Sequence, residues 1–129
     1  MSGKADRVPD YLGHILQAIE RIDRYMAGLD EPGFLKNELV QDGVIRNIEI
    51  IGEASNRIKK AAPDFVAQHD DISWLGMYNM RNRISHGYDD VNLKIVWKLT
   101  QTDLPVLRQQ VMRVLTKIGA QRVDDASCL

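Results

Sequence analysis

The sequence predicts an all-α fold, an up-and-down bundle of four to five helices with short loops, and three observations carry that reading. Apolar residues recur every three or four positions along most of the chain, the period of an α-helix. No segment alternates apolar and polar residues over a useful length, so no strand is expected. Short clusters rich in Gly, Pro and Asp separate the periodic stretches, with no internal repeat, low-complexity run or linker between them.

The first stripe runs through Leu12, Ile15, Leu16, Ile19, Ile22, Met26 and Leu29. Pro9 and Asp10 stand where a helix can begin, and Gly28 with Asp30-Glu31-Pro32-Gly33 ends it. A second pattern opens near Phe34 and carries Leu39, Val40, Val44, Ile45, Ile48, Ile51, Ala54 and Ile58. Gly43 and Gly52 lie inside it. Each costs a helix roughly 1 kcal/mol relative to Ala, so close approach of another helix is the expected reason for them. Lys59 and Lys60 suit the C-terminal end of this helix dipole. Pro63 breaks the pattern and opens a short turn of helix over 64–69. A third stripe, Trp74, Met77, Met80 and Ile84, follows a cap at Asp71 or Ser73, and Gly87 stands where a C′ glycine would. From Val91 the last stripe takes in Leu93, Val96, Trp97, Thr100, Leu104, Leu107, Val111, Val114, Leu115 and Ile118. Thr102-Asp103-Leu104-Pro105 marks a restart or kink within it. One domain over 8–120 results, with 1–7 and 121–129 expected to be flexible termini.

Composition narrows the function. The chain has 129 residues, 44% hydrophobic and 27% charged, enough for one core without staples. A net charge of -1 argues against a protein coated in basic residues that binds nucleic acid nonspecifically, but leaves room for a local basic site. The one cysteine, Cys128, allows neither an internal disulfide nor a cysteine metal pair. With no apolar leader and no run of membrane-spanning length, a cytoplasmic protein is expected, with no membrane partner.

Chemistry-bearing residues concentrate at the end of the third main helix. Arg81, Asn82, Arg83, Ser85, His86 and Tyr88 fall within eight residues. At about 100° per residue, Asn82 and His86 lie about 40° apart on one face, whereas Arg81 and His86 diverge by about 140°. A loosened last turn, or a second copy of the chain, would bring the latter two together. RNA cleavage without a metal needs a base for the 2′-OH, an acid for the leaving 5′-oxygen and cations for the phosphorane. Histidine, with an unperturbed pKa near 6.5, suits the first two tasks, and arginine grips phosphate oxygens bidentately. Asn82 would orient His86 or donate to phosphate, and Tyr88 would hydrogen-bond or stack on a base. The same residues also have plain structural readings: His86 as a helix C-terminal cap, Arg81 and Arg83 as solvated charges, Tyr88 as a half-buried aromatic.

Arg81, Asn82, His86 and Tyr88 reproduce the pattern Arg-Asn-x-x-x-His-x-Tyr, which resembles the motif of HepT-type HEPN ribonucleases. Ile51-Gly52-Glu53-Ala54, preceded by Arg46-Asn47, is similar to a segment of that family, as are Trp74 and Met80 before the motif and Val96-Trp97 and Asp103-Leu104-Pro105 after it. The resemblance spans roughly Tyr11 to Ile118. It implies a HEPN-type bundle and an endoribonuclease toxin of a type VII-like toxin–antitoxin system acting on cellular RNA, mRNA or tRNA. Arg81 and His86 would be the catalytic pair and Asn82 their support. It further implies a homodimer with a composite site, a cognate MntA-like nucleotidyltransferase as antitoxin, and AMPylation of Tyr88 as the off-switch. No cofactor and no metal are implied. A non-catalytic HEPN module serving a nucleotidyltransferase as a nucleotide- or RNA-binding or regulatory subunit is the alternative.

Other residues carry weaker signals. Glu49 and Glu53 lie four apart on the second helix, read as a solvated or ion-paired face, with Glu53 placed to orient Arg81 across the bundle. Arg57, Lys59 and Lys60 form a basic end that, with Arg83, is a candidate for RNA backbone contact. His14 reads as a boundary residue. His69, among Asp64, Asp70 and Asp71, lacks the Glu-x-x-His or His-x-x-x-His spacing of a helical metal site.

Overall fold

The computed structural model describes residues 5–84 and 91–127. A single 3-10 turn, Ala5–Arg7, leads into α1 (Val8–Met26), α2 (Glu31–Leu35), α3 (Glu38–Ala61), α4 (Pro63–Gln68), α5 (Trp74–Ile84), α6 (Leu93–Lys98) and α7 (Leu104–Ser127). The four long helices α1, α3, α5 and α7 form the bundle, and the short ones turn the corners. Among the described residues no helix is long and apolar enough to cross a membrane.

α3 is the central element. It packs most extensively on α1 and α5, while α1 also supports α7. The partners run in opposite senses. Arg21 of α1 meets Asn47 of α3 and Tyr25 meets Gly43, so later residues of α1 face earlier ones of α3. The stripes read from the sequence become the core: Leu12, Ile15 and Ile19 from α1, Ile48, Ile51 and Ile58 from α3, and Met77 and Ile84 from α5 are almost fully buried. Each such side chain contributes about 1.5–3 kcal/mol relative to exposure. Buried polar groups are paired. The Ser55 hydroxyl donates to the Gly52 carbonyl at 2.9 Å, and the Gln41 amide donates to the Phe34 carbonyl at 2.9 Å.

Three boundaries differ from the periodic reading. Phe34 does not open the second long helix. The Asp30-Glu31-Pro32-Gly33 cluster that ends α1, at Gly28 with φ +79°, also starts α2, because the Asp30 carboxylate accepts from the Gly33 N–H at 2.8 Å. Asn37 then caps α3 by accepting from the Val40 N–H at 3.1 Å. In the second case, α7 runs to Ser127, beyond the last apolar repeat at Ile118. An established helix adds residues without a new nucleus, and Gln121, Arg122 and Ala126 are good helix formers.

The third boundary is the expected restart before Pro105, which is a π turn over Leu99–Asp103. The Leu104 N–H reaches back five residues to the Leu99 carbonyl. Pro105 has no N–H to give, and its ring needs room over the preceding turn, which the wider turn provides. Thr100 and Thr102 donate their hydroxyls to the Trp97 and Lys98 carbonyls at 2.6 and 2.8 Å, pairing groups in the loosened ladder.

Candidate active site

The site is built where α3 and α5 cross. Gly52 sits at the contact: a Cβ there would lie 3.2 Å from the Met77 carbonyl oxygen and 3.5 Å from that of Tyr78. The absent side chain lets the two backbones approach, as a glycine inside a helix leads one to expect. One turn earlier on α3 stands Glu49, and one turn later on α5 stands Arg81. Their Nε to Oε1 distance is 3.7 Å. The other oxygen of Glu49 faces Arg46 at 3.6 Å. One carboxylate is thus shared between two guanidinium groups.

Arg81 remains 71% exposed while Glu49 is 29% exposed. A pair this open contributes no more than about 1 kcal/mol to stability. Its effect is on direction, since a long side chain is held toward one hollow rather than sweeping solvent. That hollow, about 170 Å³, is bounded by Glu49, Gly52 and Glu53 on α3 and by Tyr78, Arg81 and Asn82 on α5. Two of the predicted site residues, Arg81 and Asn82, are therefore brought to one cleft. His86 and Tyr88, with Ser85 and Gly87, lie outside the described residues. On either side of that segment the chain is tied, the Asn92 N–H donating to the Ile84 carbonyl at 2.6 Å.

The structure separates other candidates. Glu53 lines the cleft, but it is Glu49 that meets Arg81. The opposed directions of α3 and α5 put Glu53 beside the crossing point, next to Tyr78, and Glu49 a turn further toward Arg81. Arg83, about 200° around the helix from Arg81, points to the other side of α5. There its Nη1 meets Asp103 of the π turn at 3.1 Å. Arg57, Lys59 and Lys60 do not share a face. Arg57 lines a neighbouring hollow with Arg7, Tyr11 and His14 against α1. Lys59 places its ammonium 5.9 Å from the Tyr78 ring centre, and Lys60 is exposed. His69 is taken up in packing: its ring lies 4.4 Å from that of Phe65 and its carbonyl accepts from the Trp74 indole at 2.9 Å. Among the described residues no three His, Cys, Asp or Glu side chains converge as a metal site would require.

Sequence reasoning missed three participants, namely Glu49 as the arginine's partner, Tyr78 as a cleft wall and Asp103 as the partner of Arg83. Gly52 was the available signal for the first two. A glycine inside a helix marks the crossing, and side chains within a turn of it must flank that crossing. Chemically, the cleft offers an exposed, oriented guanidinium, amide groups and an aromatic ring, a set suited to a phosphate with its attached nucleoside.

Residues 15–114 match the HepT-like family, described as "Ribonuclease HepT-like". Among similar proteins is one from Thermococcus cleftensis named for ribonuclease HepT, 38% identical over 77% of this chain and 87% of its own length. A Caldanaerobacter subterraneus protein named as an RNase is 33% identical, over 83% of this chain and 93% of its own. A longer Methanocaldococcus jannaschii protein, named for a gamma-glutamylcyclotransferase and an RNase, is 34% identical over 87% of this chain, which spans 49% of that protein. No solved structure matches the chain.

Proposed function

Because the chain belongs to the HepT-like ribonuclease family, we propose that it is an endoribonuclease, the toxin of a toxin–antitoxin pair, with Arg81 and His86 as its catalytic residues. The observation that carries the reading is Arg81 itself. It is the first residue of the motif, exposed, and steered by Glu49 into a cleft walled by Asn82 and Tyr78.

The reaction follows from the side chains. A base withdraws the proton of the ribose 2′-OH, the 2′-oxygen attacks phosphorus, and the bond to the 5′-oxygen breaks as that oxygen receives a proton. The products are a 2′,3′-cyclic phosphate and a 5′-hydroxyl. His86 has the chemistry for proton transfer near neutral pH, and Arg81 offers parallel N–H donors to the phosphorane oxygens. One histidine per chain is a poor basis for both acid and base. A homodimer that faces two motifs across one cleft would supply the second, and that is the assembly we propose.

Regulation enters through Tyr88. A nucleotidyltransferase antitoxin would transfer AMP to its hydroxyl, adding bulk and negative charge two residues after His86 in competition with the RNA phosphate. The test is expression of the chain alone in a bacterial host, following growth and RNA integrity. Wild type should arrest growth and leave cyclic-phosphate ends. Arg81→Ala and His86→Ala should do neither, and equal behaviour of wild type and His86→Ala would refute the catalytic assignment.

A further inference from the structure

Beside Arg81, the cleft between α3 and α5 has features that phosphate chemistry does not use. Its volume of about 170 Å³ is below the range of drug-sized sites and suits a single base rather than a whole nucleotide. Tyr78 stands at its wall, 46% exposed, with the Lys59 ammonium 5.9 Å from the ring centre. An exposed ring beside a cation is a stacking platform for a base whose phosphate lies nearby. Glu53 and Asn56, three apart and so on one face of α3, line the same space.

The two carboxylates of the cleft differ. Glu49 is engaged by Arg46 and Arg81, whereas Glu53 is exposed and makes no ion pair among the described residues. A free carboxylate only accepts hydrogen bonds. Of the four RNA bases, guanine alone presents two parallel donors on its Watson–Crick edge, N1–H and N2–H, flanked by the O6 acceptor. The Asn56 amide can donate to such an acceptor. Adenine and cytosine would set a ring-nitrogen acceptor against the carboxylate, and uracil offers one donor between two carbonyls.

We propose that this cleft is a guanine subsite, with Tyr78 stacking on the base and Glu53 and Asn56 reading its edge, so that RNA is cut at a fixed offset from a guanine. The proposal rests on the ribonuclease reading and gives it a substrate preference. Gly52 forms part of the floor, where a larger residue would intrude on the base as well as on α5.

The experiment is digestion of a randomised RNA pool by purified full-length protein, with sequencing of the new ends. Wild type should enrich guanine about ten-fold or more at one position relative to the cut, the discrimination of a good bidentate pair. Glu53→Gln should lower the rate at those sites about ten-fold and erase the enrichment. Asn56→Asp, which turns a donor toward O6 into an acceptor, should select against guanine, and it keeps the test decisive if the first variant folds poorly. Cleavage by wild type without base preference, or guanine preference that survives Glu53→Gln, would overturn the subsite and leave the ribonuclease reading intact. A pool left uncut by wild type would overturn both.

Discussion

Glu49 on α3 holds Arg81 on α5 at 3.7 Å, reaching across a helix crossing that Gly52 makes possible. The pair is open to solvent, so its contribution to stability is small and its contribution to aim is the larger one. Glu49→Gln should therefore cut RNA cleavage roughly three- to ten-fold while moving unfolding free energy by less than about 1 kcal/mol. Parallel rate and urea-denaturation measurements check this. A stability loss that accounts for the whole drop in rate would contradict it.

The two mid-helix glycines of α3 should respond differently to enlargement. At Gly52 the obstructing atoms are backbone, at 3.2 and 3.5 Å, and cannot turn aside. Gly52→Val should destabilise by about 2 kcal/mol or more, as an overpacked core site does. At Gly43 the obstruction is the Tyr25 ring at 3.0 Å, on an exposed side chain free to rotate. There Gly43→Ala should be near neutral or gain up to about 1 kcal/mol from helix propensity. Denaturation midpoints of both variants decide the matter.

Arg83 and Arg81 should separate in function although they are two residues apart. Arg83 is committed to Asp103 at 3.1 Å on the far side of α5. Arg83→Ala should lower RNA cleavage by less than about three-fold and stability by less than about 1 kcal/mol, where Arg81→Ala abolishes cleavage. A double-mutant cycle with Asp103→Ala should return a coupling of about 0.2–1 kcal/mol. Loss of RNA affinity in Arg83→Ala equal to that in Arg81→Ala would contradict this placement.

Ile48 is fully buried at the α1–α3 interface. Ile48→Ala should cost about 2–5 kcal/mol, a span that covers how far such a site collapses around the lost atoms. Equilibrium unfolding reads it directly, and a cost under about 1 kcal/mol would mean the bundle is looser than described.

Tyr88→Phe should leave the RNase active but deaf to the proposed antitoxin. Intact mass after co-expression with a nucleotidyltransferase partner should show added AMP on wild type and none on the variant. AMP on the variant would move the modification to another residue.

Much of this fold was legible in the chain. The stripes Leu12–Ile22, Val44–Ile58 and Trp74–Ile84 name their own buried faces, because a 3.6-residue period has one physical meaning. Less legible was anything that depends on how two helices cross. From spacing, Glu49 and Glu53 are equivalent neighbours of a helix on α5; only the register of α3 against α5 chooses between them. Arg57 and Lys59 look like one basic end in sequence. About 200° of rotation sends them to different neighbours. The Asp30 cluster reads as a stop, and it is also a start, since a single carboxylate serves as a cap for the next turn.

The π turn at Leu99–Asp103 has a consequence for how this chain can vary. Its extra residue sets the phase of the whole of α7, because removing one residue from a helix rotates the later residues by about 100°. A deletion there would give a more regular helix and carry Leu104, Leu107 and Val111 away from the core they now fill. Point changes in the turn leave that phase alone. The segment should therefore drift in spelling over evolutionary time while keeping its length.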